Sequence, residues 1–141
     1  MTPLRALNIV LGLMMVGFTA VQYNDPDMPQ WVLMYAIPAL WMYAVTFRLP
    51  GVKGSSDLMR LLWATVVFYV VAVIFLWPAM PNFWLKEVWI VEETAREGMG
   101  VMIALGVMLI AVLNTRLQAS AAAVPASAGS AQRLSPGSGS A

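Results

Sequence analysis

Side chains able to do chemistry fall in two short polar segments of this 141-residue chain. The candidate site residues are Asn24, Asp25, Asp27, Glu92, Glu93, Arg96 and Glu97. Carboxylate and amide oxygens suit hard cations, ion pairs and hydrogen bonds. The first segment alone offers three such oxygen-bearing side chains, fewer than the roughly six to eight oxygens that Ca²⁺ takes. It also satisfies a helix boundary, with Asp25 as N-cap and Pro26 at the first helical position.

The second segment carries charges at helical spacing. Glu92 and Arg96 are four residues apart in the favourable order, whereas Glu93 and Glu97 are like charges at the same spacing. A shared proton, a cation or hydrogen bonds from the first segment must offset that repulsion if the site is dry. We favour a structural network of ion pairs and caps for the two segments. The alternative is a site for a hard cation or a small polar ligand, whose metal, if any, the sequence does not identify.

The chain contains neither cysteine nor histidine. Disulfides, iron–sulfur clusters, thiolate zinc sites, the usual axial ligand of haem and the usual general base of hydrolases are therefore excluded. The remaining residue types form no recognisable catalytic constellation. We predict no cofactor and no enzymatic activity.

Composition indicates where these segments must lie. Apolar residues make up 60% of the chain and charged residues 11%, against about 45–50% and about 25% in soluble domains. The net charge of +1 gives no reason to expect nucleic-acid binding. The excess apolar surface must face a lipid bilayer.

Four stretches are nearly free of charge and close to the length that crosses a bilayer. They are residues 4–21, 31–47, 58–77 and 98–114. We predict an all-α integral membrane bundle over residues 1–117, with four transmembrane helices. An outer amphipathic segment, with Asn82 as its candidate N-cap, precedes the fourth span and either lies at the interface or extends that span outward. Residues 118–141 are predicted to be a disordered tail, because 19 of these 24 are Ala, Ser, Gly or Pro.

Basic residues indicate the orientation. The N-terminus, second loop and tail contain Arg5, Arg48, Lys53, Arg60, Arg116 and Arg133, whereas the first and third loops contain Lys86 and Arg96. By the positive-inside rule both termini are cytoplasmic, which places both polar segments on the outer side. We expect a bacterial inner-membrane location.

Small residues within the spans are candidates for helix packing. They are Gly12, Gly17, Gly100 and Ala104, and Pro38 is expected to kink the second helix. The main polar groups in the spans are Asn8, Thr46, Thr65 and Tyr69, which we interpret as helix–helix hydrogen bonds.

The two polar segments together resemble a known family. The run from Gln22 to Asp27, followed by Trp31, Tyr35 and Pro38, resembles one signature of the transmembrane protein 220 family. The run from Glu92 to Glu97, followed by Gly100, is similar to the other. The resemblance covers residues 4–113. It implies a multi-pass membrane protein in which Asn24, Asp25, Asp27, Glu93, Arg96 and Glu97 form one site, and it implies no particular activity.

We therefore predict a non-enzymatic accessory or structural subunit that packs against other integral membrane subunits or against itself. The alternative is a carrier or binder of a small polar ligand, a lipid or a hard cation at the outer acidic site.

Overall fold

A computed structural model describes the backbone of residues 3–131 and the side chains of residues 3–48, 50–88 and 91–117. The described chain is helical and contains no strand, as predicted. The α-helices are α1 (Pro3–Val21), α2 (Met28–Phe47), α3 (Leu49–Gly54), α4 (Ser56–Leu76), α5 (Lys86–Val91) and α6 (Glu93–Ala131). Short 3₁₀ turns follow α1 at Gln22–Asn24 and α4 at Trp77–Ala79.

Four helical segments of the described chain are long and apolar enough to cross a membrane. They are Pro3–Asn24, Met28–Phe47, Ser56–Ala79 and Glu93–Leu117. Each contains one of the four predicted spans, because charge-free apolar runs of this length form helices that satisfy their own backbone hydrogen bonds in lipid. The all-α membrane fold is confirmed.

The bundle is organised around α6. Helix α1 packs along α2, and both α2 and α4 pack against α6. Within its span α6 is 56% buried, whereas the span that contains α1 is 11% buried. The largest side chains of the interior include Met15, Met42, Leu62, Tyr69 and Met108. The core therefore lies along α6, and most of α1 and α4 presents apolar side chains outward.

Two hydrogen bonds join helices through the apolar interior. The Asn114 side-chain amide of α6 donates to the side-chain oxygen of Asn8 in α1 at 2.7 Å. The Tyr69 hydroxyl of α4 donates to the main-chain carbonyl of Met34 in α2 at 2.5 Å. The predicted helix–helix role of Asn8 and Tyr69 is confirmed.

The two threonines behave differently from that prediction. Thr46 donates to the carbonyl of Met42 and Thr65 to that of Leu61, each four residues earlier in the same helix. A short hydroxyl side chain reaches the carbonyl of the preceding turn more easily than a neighbouring helix.

The third loop corrects one prediction. Asn82 is not an N-cap but adopts a left-handed conformation with φ of 58°, which asparagine tolerates better than most residues. Helix α5 begins four residues later, at Lys86, and ends before Glu92, whose extended backbone separates it from α6. The predicted amphipathic segment is therefore divided between a short separate helix, α5, and the first turns of α6. Met80 secures the start of this loop, because its buried side chain packs against the bare backbone of Gly98 in α6.

The first loop corrects another prediction. Asp27, and not Asp25, occupies the N-cap position of α2, where its side chain makes no capping hydrogen bond, and Pro29 rather than Pro26 lies in the first turn. The N-terminus of α4 shows a side-chain cap, in which the Ser55 hydroxyl accepts from the Leu58 amide.

The predicted tail also differs from the structure in part. The backbone of α6 continues as a helix to Ala131, beyond the predicted domain end at residue 117. Alanine has the highest helix propensity, so this Ala-rich stretch forms helix even though it has little apolar surface to bury. The remainder of the predicted tail, residues 132–141, lies outside the described residues.

Candidate functional site: a polar cavity at one end of the bundle

The two polar segments meet at the end of the bundle where α1 ends and α6 begins. Between them lies a partly open cavity of about 390 Å³, here called the polar cavity. Its walls are Phe18, Val21, Gln22, Asp25, Tyr35, Glu93, Arg96, Glu97, Met99, Gly100 and Ile103. Helices α1, α2 and α6 and the first loop all contribute, so the site exists only in the assembled bundle.

Local turns of the first loop position Asp25. The 3₁₀ turn places the Asp25 amide 3.0 Å from the carbonyl of Gln22, to which it donates. The Asp25 carboxylate in turn accepts from the backbone amide of Asp27 at 3.3 Å, which is an Asx turn. These bonds hold the half-buried Asp25 at the cavity, whereas Asn24 and Asp27 are exposed and do not line it.

The first turns of α6 supply the other charged groups. Glu93 is the first residue of α6, where a carboxylate interacts favourably with the helix dipole. Arg96 and Glu97 follow on the next turn and also line the cavity. The preceding residue, Glu92, is extended and exposed, and its side chain does not reach the cavity.

Electrostatic forces at Glu97 oppose one another. Glu93, Asp25 and Asp27 repel its carboxylate, and Arg96 attracts it. The like-charge repulsion expected from the spacing of Glu93 and Glu97 is therefore present, and the first loop adds to it instead of relieving it. Arg96 supplies the local positive charge.

Tyr35 forms the inner wall of the cavity. Its side chain is 4% exposed and is stacked against Trp31 at 6.2 Å between ring centroids. The edge of Phe18 packs on it at 5.5 Å. Its hydroxyl lies against Gly100, where any side chain would collide with it.

The two buried tyrosines differ in how their hydroxyls are satisfied. The Tyr69 hydroxyl donates to Met34, but no hydrogen bond from the Tyr35 hydroxyl occurs among the described residues. Buried polar groups normally have a partner. The Tyr35 hydroxyl is therefore a donor available at the wall of the polar cavity.

Four of the seven predicted site residues line the cavity and three do not. The four are Asp25, Glu93, Arg96 and Glu97, and the three are Asn24, Asp27 and Glu92. Sequence reasoning missed Tyr35 as a site residue. The available signal was its position four residues after Trp31, on the same face of a helix that begins beside the first loop.

The carboxylates do not converge as metal ligands usually do. In the part of the chain that the structure describes, no group of three or more Asp or Glu side chains is arranged to hold a metal ion. The polar side chains that line the cavity are able to form hydrogen bonds and ion pairs.

The residues predicted to pack helices are distributed over the bundle. A Cβ at Gly12 would lie 3.4 Å from that of Met42, so α1 and α2 approach closely there, whereas Gly17 faces open space. Pro38 and Ala104 are buried in α2 and α6. Gly100 lets α2 and α6 approach closely, because its missing side chain leaves room for the hydroxyl of Tyr35, and it also lines the polar cavity.

Comparison with known proteins gives one match. No curated protein and no solved structure matches the chain. The family model described as transmembrane family 220, helix, matches residues 14–113, which include both polar segments and all of the residues that line the cavity. This protein therefore belongs to transmembrane family 220.

Proposed function

We propose that this multi-pass membrane protein binds a small polar or amphipathic organic ligand in the polar cavity and does not catalyse a reaction on it. The observation that carries the proposal is the cavity of about 390 Å³ at the meeting point of the two polar segments. Ligand sites in proteins are concave, largely apolar and supplied with a few convergent polar groups, and their volumes run from about 300 to about 1,000 Å³. The polar cavity fits this description.

The charged groups of the cavity favour an organic ligand over a hard cation. Arg96 stands among the carboxylates, and a guanidinium so close to a metal would repel it. An organic ligand can instead place complementary groups opposite Arg96 and opposite Glu97. The hydroxyl of Tyr35 offers a further hydrogen bond.

The role of accessory subunit stays a prediction from the sequence. The outward faces of α1 and α4 are apolar, which suits both lipid and another membrane protein. Purification in a gentle detergent followed by mass spectrometry tests this role. Stoichiometric partner subunits support it, and an isolated chain contradicts it.

Native mass spectrometry of the purified protein tests the binding proposal. We expect the wild-type chain to retain a small molecule that is reduced in Glu97→Gln and in Gly100→Ala, since the latter displaces Tyr35 into the cavity. Glu92→Gln is the matched control, because it removes the same charge next to the cavity but outside it. Equal adducts in the wild type and all three variants would contradict the proposal.

A further inference from the structure

We infer that the ligand of the polar cavity is the headgroup of a phospholipid that carries both a phosphate and a primary ammonium group. This inference rests on the proposed function and specifies its ligand. Four features of the cavity support it: the pattern of its charges, the free hydroxyl of Tyr35, its apolar edge and its size.

The charge pattern fits a zwitterion. Arg96 is the single basic residue among those that line the cavity, and its guanidinium suits the oxygens of a phosphate. Asp25, Glu93 and Glu97 supply acceptors for an ammonium group. A purely anionic headgroup would face three carboxylates, whereas a zwitterionic one can place its ammonium group near the carboxylates and its phosphate near Arg96.

A primary ammonium suits this cavity better than a quaternary one. Its three N–H groups donate to carboxylates, which the cavity offers. A quaternary ammonium has no donor and is recognised by cages of aromatic faces. The two aromatic rings of the cavity, Phe18 and Tyr35, pack edge to face on each other and form no such cage.

The Tyr35 hydroxyl completes the site for the phosphate. It lies at the wall of the cavity without a hydrogen bond to any residue that the structure describes. A phosphate oxygen can accept from it, and the absent side chain of Gly100 leaves room for the hydroxyl at this wall of the cavity. The ligand thereby accepts from a donor at the cavity wall that has no hydrogen bond to a described residue.

The apolar edge of the cavity fits the acyl chains of a lipid. Val21 and Ile103, which border the cavity, are 70% and 42% exposed on the surface of the bundle. They belong to helical segments that are apolar enough to cross the membrane. A headgroup bound between the polar side chains can pass its acyl chains over these two residues into the bilayer. A volume of about 390 Å³ accommodates a headgroup and not a whole lipid.

Thermal unfolding of the full chain in detergent, with added short-chain lipids, tests the inference. The probes are dihexanoyl phosphatidylethanolamine, dihexanoyl phosphatidylcholine, dihexanoyl phosphatidylglycerol and free phosphoethanolamine. We expect a saturable rise in the unfolding midpoint with phosphatidylethanolamine and a much weaker response to the others. Arg96→Gln and Glu97→Gln should each weaken binding by about tenfold or more, the loss expected for a charge-assisted hydrogen bond.

Two further variants make the result specific. Tyr35→Phe preserves the packed ring and removes only the hydroxyl, so it should weaken binding severalfold without loss of the fold. Glu92→Gln should bind as the wild type does. If phosphatidylcholine or phosphatidylglycerol binds as well as phosphatidylethanolamine, or if the cavity variants bind normally, the inference is overturned.

The remaining outcomes separate the inference from the proposed function. Free phosphoethanolamine that binds as tightly as the lipid would show a soluble zwitterion as the ligand and would overturn the lipid assignment alone. A different retained molecule, lost from Glu97→Gln but not from Glu92→Gln in native mass spectrometry, would likewise overturn the headgroup assignment while supporting the proposed function.

Discussion

Replacing Asn8 by leucine should destabilise the bundle through the partner it leaves behind. Asn8 and Asn114 are 1% and 0% exposed, and one hydrogen bond of 2.7 Å joins them. The side-chain oxygen of Asn114 has no partner among the described residues. In Asn8→Leu the side-chain nitrogen of Asn114 loses its acceptor. Neither the nitrogen nor the oxygen of this buried amide then has a partner among the described residues.

The magnitude follows from two terms. A hydrogen bond between membrane helices contributes about 0.6 kcal/mol on average and about 2 kcal/mol at most. A buried polar group without a partner costs about 1–3 kcal/mol. We expect Asn8→Leu and Asn114→Leu each to lower the free energy of unfolding by about 1–3 kcal/mol. The double variant should cost clearly less than the sum, because no unpaired amide remains.

Reversible unfolding in mixed micelles with increasing sodium dodecyl sulfate, followed by circular dichroism, measures these values in a double-mutant cycle. Thr65→Val is the matched control. Its hydroxyl is exposed and bonds only to its own helix, so the change should be small. If the losses from the two asparagine variants add to within about 0.5 kcal/mol, the two side chains are energetically independent and the reasoning is refuted.

Three further outcomes are expected. Gly12→Leu should destabilise the protein by about 1–3 kcal/mol in the same unfolding assay, because the added side chain meets Met42. Gly17→Leu is the control and should have little effect, since Gly17 faces open space. Equal losses of stability in the two variants would contradict the packing of α1 on α2. Tyr69→Phe should cost about 0.5–1.5 kcal/mol through the lost hydrogen bond to Met34, and an unchanged unfolding midpoint would contradict this. A phosphatase reporter fused to the C-terminus should be inactive if that end is cytoplasmic, and activity outside the membrane would reverse the predicted topology.

The sequence predicted the architecture well because a bilayer imposes simple requirements. A charge-free apolar run must form a helix to satisfy its backbone in lipid, so the spans predicted at 4–21 and 58–77 lie closely along α1 and α4. The boundaries were less predictable. Asn82 and Asp25 have suitable side chains for N-caps, but the capping position depends on where the tertiary structure turns the chain.

The polar site could be predicted only in part. The order of the four spans predicts that the segments of Asp25 and Glu97 share one side of the membrane, and the structure brings both residues to one cavity. Tyr35 could not be assigned from its type, because a tyrosine within an apolar helix most often serves packing. Its spacing from Trp31 is a weak signal, and its place at the cavity wall depends on the contact with Gly100, a residue far away in the sequence. Likewise, nothing in the sequence paired Asn8 with Asn114.

The central position of α6 has a consequence for biosynthesis. A ribosome delivers the N-terminal spans first, so α1 and α2 can associate as a hairpin while later spans are still being made. Helix α4 packs mainly against α6, so it makes these contacts only after α6 has been synthesised. Until α6 enters the membrane, Glu93, Arg96 and Glu97 are not yet beside Asp25. The proposed ligand site is therefore complete only after α6 has been inserted, and a chain that ends before Glu93 lacks the α6 wall of the cavity.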